Sequence, residues 1–239
     1  MSATIQIEAN GFGASYQCIL YGFALCRKKG WEYRHTPWKC IHNTDYNKCN
    51  QFIGFNTFLK PDKETINLSY SQELYDTPVD DLFTRETIQE IKECYYSTSK
   101  PFNPYNGYVA VHIRRGDVNK NNHPDRWISN EQYKKWIVEL LRIYPDYQIL
   151  IISLGKPDDF KEIVSLDINR VVLDLEQDAL RHFNIMVEAD VLFPTLSSLS
   201  FTAGILNENF VHKDVYEKFD FWHTPSSSCL SILHYVNIS

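Results

Sequence analysis

The chain has 239 residues, 44% hydrophobic and 14% aromatic. That is enough for one large domain or two small ones, and it excludes wholesale disorder. A formal net charge of −6, with acidic residues spread along the chain, argues against a nucleic-acid binder, which needs a basic face to displace counterions.

No apolar run is long enough to span a bilayer, and residues 1–10 lack the basic-then-apolar pattern of a secretion signal. The six cysteines show neither CxxC nor zinc-site spacing. Cys18 and Cys26 read as small core residues, and a Cys40–Cys49 loop disulfide is not expected in a chain without a signal. Without that signal the sequons at Asn67 and Asn237 carry little weight. The expectation is a cytoplasmic, reduced protein with no cofactor and no metal.

In chain order, the alternating stretch Thr4–Ala9 predicts a strand, and Tyr16–Lys29 predicts a helix closed by Gly30. Trp31–Thr36 resumes a strand pattern that Pro37 stops. Residues 38–76 are rich in Asn, Asp, Lys and aromatics with weak periodicity, and Asn43–Phe58 within them reads as an insertion or binding loop. Trp38, Tyr46, Phe52, Phe55 and Phe58 form a candidate platform for a sugar there, with burial under the domain the competing reading. Thr84–Tyr96 has helix-cap chemistry, and the two prolines of 100–107 mark a linker.

The second half alternates more regularly. Strands are expected over Tyr108–Ile113, Gln148–Ser153, Arg170–Leu173 and Asp190–Pro194, and helices over Glu131–Ile143, Asp158–Val164, Asp178–Ala189 and Ser197–Leu206. The pattern implies an α/β protein with a parallel sheet, divided into lobes 1–105 and 106–239.

Three motifs carry chemistry. The first is Val109-Ala-Val-His112-Ile-Arg114-Arg115-Gly116-Asp117, a buried strand that delivers a histidine and two arginines into a glycine turn. Guanidinium groups offer a planar, permanently charged fork that matches a phosphate. In an extended chain His112 and Arg114 face one side and Ile113 and Arg115 the other, so one arginine can brace the loop while the other reaches a ligand. The second is Gly11-Phe12-Gly13 between a strand and a helix. It suits close approach of a ligand to helix N–H groups, but it lacks the third glycine of the dinucleotide fingerprint and the Gly-Lys-Ser/Thr of a P-loop. The third is Ser197-Ser198-Leu199-Ser200-Phe201 at a helix start, where hydroxyls and free N–H groups make a second anion cradle.

In this order the three motifs resemble the GT-B fucosyltransferase superfamily, with the α-1,2 branch closest. His112–Asp117 is similar to its His-x-Arg-Arg-Gly-Asp motif, Gly11-Phe12-Gly13 to its N-terminal glycine turn, and residues 186–201 to its serine-rich third motif. The resemblance implies a GT-B-like fold of two Rossmann-type lobes with a cleft between them. It also implies an inverting, metal-independent enzyme that moves L-fucose from GDP-fucose to a glycan hydroxyl.

By that resemblance Arg115 grips the diphosphate with Arg114 in support, and His112 lies near the nucleotide. Ser197, Ser198 and Ser200 hold the β-phosphate, with Phe201 in the same motif. Ala14 stands where the family has asparagine. His182 stands in the place of its guanine-reading aspartate, so His182, or Asp178 one turn earlier, is expected at the base. For the catalytic base the loop after Arg115 offers Asp117, His123 and Asp125. The alternatives are the same fold using another nucleotide-sugar, and a non-catalytic nucleotide- or carbohydrate-binding protein.

Overall fold

A computed structural model describes residues 1–7, 11–39, 41, 44–69, 77 and 79–212. Asn10, Cys40, Asn43, Cys229 and the Asn237 sequon lie outside the described residues. The chain divides into two compact units, Met1–Pro101 and a second beginning at Phe102.

In the first unit β1 (Ser2–Thr4) runs parallel between β2 (Glu32–Tyr33) and β3 (Ile66–Asn67). Ala3 pairs with both Tyr33 and Ile66. The strand expected over 4–9 is displaced toward the N-terminus, and residues 8 and 9 lie outside the described set. Ladder pairing stops at Thr4 because side chains take over: the Gln6 N–H bonds Ser69 Oγ (2.8 Å) and Thr4 Oγ1 meets Thr36 Oγ1 (2.8 Å).

Helix α1 (Phe12–Lys29) follows, with Gly30 in the left-handed region (φ 65°) donating its N–H to Arg27 O and Cys26 O. This is the glycine closure the sequence predicts. The helix starts four residues ahead of the expected Tyr16, because Gly13 is absorbed into its first turn rather than forming the turn before it. Gly22 lets α1 lie close on the strand layer, since a Cβ there would stand 3.1 Å from Ile5. Cys26 is buried and Cys18 half-buried, both as free thiols.

Over its described residues the stretch expected as an insertion or binding loop, Asn43–Phe58, carries α2 (Tyr46–Phe52) and a 3₁₀ turn (Phe55–Thr57), and the strand β3 beyond it completes the small sheet. Three of the platform's five aromatics belong to the core: Trp38 packs edge-on against Phe12 (6.0 Å), Phe52 against Phe12 (5.6 Å) and Phe55 against Phe23 (5.5 Å), whereas Tyr46 is exposed. Trp38, Phe52 and Phe55 are at most 4% exposed, so no sugar platform is presented by them; ring burial stabilises the core more than an open aromatic face would. The short α3 (Val79–Leu82) and α4 (Arg85–Tyr96) close the unit, the latter capped by Thr84 as expected.

The second unit is a five-stranded, fully parallel sheet in the order β6-β5-β4-β7-β8. Its strands are β4 (Tyr108–Ile113), β5 (Gln148–Ser153), β6 (Val171–Asp174), β7 (Val191–Phe193) and β8 (Phe210–Val211). Its helices are α5 (Asn130–Ile143), α6 (Lys161–Val164), α7 (Ala179–Glu188) and α8 (Ser198–Leu206). Every residue of β4 is buried, as befits a central strand covered on both faces. The α/β class with parallel sheets expected from the sequence is the class the chain adopts.

Candidate functional site

All strands of the second sheet run the same way, so their C-terminal ends share one edge, where open α/β sheets place ligands. The β4 end delivers His112, Arg114 and Arg115 to that edge. Gly116 follows at φ 85° and fits against Leu154, whose Cβ a side chain at 116 would meet at 3.3 Å. That positive φ and the close approach account for glycine in the motif.

The two arginines diverge as the strand's alternation requires. Arg114 reaches the turn between β7 and α8, its Nη1 3.5 Å from Leu196 O, while its Nη2 donates to Asp117 Oδ2 (2.7 Å). Partial burial would raise the Asp117 carboxyl, but the hydrogen bond and charge of Arg114 outweigh it and hold the group below the usual carboxylate range. Arg115 turns toward the start of α5. Its Nη1 donates to Arg114 O (2.9 Å) and its Nη2 to Ile128 O (2.8 Å) and Asn130 Oδ1 (2.6 Å). The guanidinium also lies by the rings of Trp127 (5.7 Å) and Tyr133 (5.5 Å). Three of its five N–H donors are thus used, leaving two.

Arg114 faces the serine cluster. Ser197 caps α8, accepting from Leu199 N. Half-exposed Ser198 is the first helical residue, where backbone N–H groups have no intrahelical acceptor. Ser200 is fully buried and knits the turn together, accepting from Thr195 N (3.2 Å) and lying within donating distance of Thr195 O (3.2 Å) and Ser197 O (3.3 Å). Phe201 is core. Of this motif, the helix start around Ser198 is open to a ligand, and Ser200 and Phe201 shape it from beneath.

His112 sits in register with Ile152 of β5, which pairs with Asp174 of β6. The three side chains therefore share one face of the sheet. Burial, with the nearby His182 and Arg114, pushes His112 down to about 3, against a smaller opposing effect of Asp117. Its Nδ1 is buried and makes no hydrogen bond.

Asp174 carries a network that the sequence reading missed. Its Oδ1 accepts from His182 Nε2 (3.0 Å) and Glu176 N (3.1 Å), and its Oδ2 from Tyr105 OH (2.9 Å) and Arg181 Nη1 (2.8 Å). Burial raises such a group, but these four donors prevail and hold it far below the ordinary carboxylate range. They also occupy the roughly four lone-pair sites a carboxylate has. A signal for it exists in the sequence: a carboxylate that ends an apolar strand at the sheet edge where ligands bind. Asp178, by contrast, caps α7 by accepting from Leu180 N (3.0 Å) and Arg181 N (3.1 Å).

His123 and Asp125 lie on the exposed 117–126 loop, Asp125 3.6 Å from Arg126. Asn122 ties this loop down by donating to Asp117 O (2.6 Å) and accepting from Asn119 N (2.7 Å). Gly11, Phe12 and Gly13 belong to the first unit. Gly11 caps α1 with extended backbone, and a Cβ there would meet nothing within 4 Å, so neither a positive φ nor crowding demands glycine. The Phe12 ring is buried among Tyr16, Trp38 and Phe52. What this motif offers an anion is the backbone of the first turn of α1. Among the described residues no group of three or more His, Cys, Asp or Glu is gathered as for a metal ion, and no helix is long and apolar enough to cross a membrane.

No family model matches the chain, and no curated protein matches it. Similar backbones occur among solved structures. POFUT1 in complex with GDP is 10% identical, with a TM-score of 0.46 over 87% of this chain and 94% of that one. The fucosyltransferase NodZ from Bradyrhizobium is 12% identical, with a TM-score of 0.42 over 87% and 94%. POFUT1 in complex with GDP-fucose is 13% identical, with a TM-score of 0.36 over 62% of this chain; this chain spans about half (51%) of that one. These are likenesses of α/β backbone.

Proposed function

We propose that the chain is a glycosyltransferase that moves L-fucose from GDP-fucose to a glycan hydroxyl, with inversion at the sugar carbon and an α-1,2 linkage. The observation that carries the reading is the meeting of Arg114 with the turn that opens α8, where its Nη1 stands 3.5 Å from Leu196 O. A fixed cation beside a helix N-terminus is a site for an anion. The motif resemblance supplies the choice of nucleoside diphosphate and sugar.

Departure of GDP builds negative charge on the β-phosphate. Donors already in place stabilise that charge without reorganising. Arg114, oriented by Asp117, and the N–H groups at Ser198 offer it hydrogen-bond donors, and Arg115, whose bonded acceptors are neutral, adds its uncompensated charge from the α5 side. Asp117, bound to Arg114, holds that guanidinium in place; the acceptor hydroxyl then loses its proton to His123 or Asp125 of the neighbouring loop.

Arg114→Ala is expected to lower the rate of GDP release from GDP-fucose by roughly 10²- to 10³-fold while far-UV circular dichroism stays unchanged. GDP is expected to raise Tm and UDP to leave it unchanged. Full turnover in the Arg114 variant, or stabilisation by UDP alone, overturns the reading.

A further inference from the structure

Arg114 has a carboxylate partner, whereas among the described residues every acceptor bonded to Arg115 is neutral: Arg114 O, Ile128 O and Asn130 Oδ1. The Asp159 carboxylate acts on Arg115 only through space, and its Oδ2 is taken by Lys156 N (2.9 Å). Asn130 spans the two loops that flank this edge, with Oδ1 on Arg115 (2.6 Å) and Nδ2 donating to Asp159 O (2.7 Å).

Stability alone favours a different residue at 130. It is the first position of a 14-residue helix, where the positive end of the dipole favours acids, and it lies against a half-buried guanidinium. An aspartate would satisfy both and is nearly isosteric with asparagine. The chain instead carries an amide, which holds the guanidinium by hydrogen bonding and leaves its charge uncompensated.

We propose that Asn130 is a positioning residue for anion binding. It fixes the Arg115 guanidinium at the end of β4 while keeping its full positive charge available to a bound diphosphate. This rests on the reading of that strand end as a diphosphate site. An acid at 130 would turn Arg115 into half of an ion pair, and its attraction for a second anion would fall accordingly. The two remaining donors of Arg115 would then meet the ligand from a group of little net charge.

The test measures binding of GDP, and separately of inorganic pyrophosphate, by titration calorimetry to the full chain and to Asn130→Asp and Asn130→Ala, with Tm recorded for each. The expected order of affinity is wild type, then Asn130→Ala about threefold weaker, then Asn130→Asp about tenfold or more weaker. The aspartate variant keeps or raises Tm, and its deficit shrinks at high ionic strength. A merely structural role gives the opposite order, with Asn130→Asp close to wild type and Asn130→Ala weakest, and overturns the proposal. Failure of the wild-type chain to bind either probe overturns the diphosphate reading itself, a distinct outcome.

Discussion

Asp174→Asn tests the buried network at the end of β6. The wild-type carboxylate is 5% exposed and accepts four hydrogen bonds, from Tyr105, Glu176, Arg181 and His182. An amide keeps the shape but has one oxygen where the carboxylate has two, and its NH₂ group meets donors it cannot accept from. Two of the four bonds are therefore lost outright, and Arg181 keeps Glu176, at 3.2 Å, as its charged partner among the described residues. Bonds to a charged acceptor contribute about 1.5–3 kcal/mol each, and breaking a buried ion pair costs about 3–5 kcal/mol. These overlap rather than add, so the expected loss is about 3 kcal/mol. For a unit of this size that lowers Tm by about 10–20 °C. The assay is thermal unfolding with hydrogen-exchange mass spectrometry, in which faster exchange should concentrate in β5, β6 and α7. A loss under about 1 kcal/mol, or exchange unchanged in α7, would show that Asp174 is not what holds this edge together.

Three further outcomes are expected. Gly54→Ala should destabilise the first unit by at least about 2 kcal/mol in urea titration, because Gly54 sits at φ 76° and a Cβ would fall 1.8 Å from Cys94 O; a variant as stable as wild type refutes this. Acid should weaken both units well before the carboxylates titrate. Burial holds His35 down at about 4 and His112 at about 3, whereas in the unfolded chain both titrate near pH 6.5. Between about pH 6.5 and 4 the unfolded chain binds more protons, so stability is complete above that window and falls as pH drops, by up to ~1.4 kcal/mol per pH unit for each histidine. Equal urea midpoints at pH 7.5 and pH 5 would contradict it. Ser200→Ala, finally, removes the hydroxyl accepting from Thr195 N and should lower unfolding free energy by about 1–2 kcal/mol; an unchanged urea midpoint would show the turn holds without it.

The parts of the fold that periodicity and caps determine were readable in the sequence. Gly30 and Thr84 close and open their helices as their chemistry predicts, and β4 and β5 span the expected residues because both are dominated by apolar side chains. The two-residue strands β2 and β3 carry too few residues to show a period, so β3 was hidden inside a polar stretch. The aromatics of 38–58 illustrate a second limit: composition shows rings but not which side of them faces the core. At the site, strand alternation foretold that Arg114 and Arg115 part company. It could not say which of them meets α8, because that depends on where β7 and α5 lie in the sheet. Asn130 and Asp174 gain their meaning from partners 15 and 69 residues away, Arg115 and Tyr105, a separation no local motif spans.

The register of the second sheet also bears on how the chain folds. β4 occupies the middle of that sheet, yet its flank toward β7 is completed by residues far downstream, as the bond from Tyr108 N to Asp190 Oδ2 spans 82 positions. On a ribosome adding ~5–20 residues per second, that flank stays open for roughly 4–16 s. During this interval a largely apolar strand presents unpaired backbone to its surroundings. With no hairpin among its pairings in the described residues, the sheet must close long loops before any contact repays them, which slows folding. Slow folding of this sheet follows from placing the arginine-bearing strand at its centre.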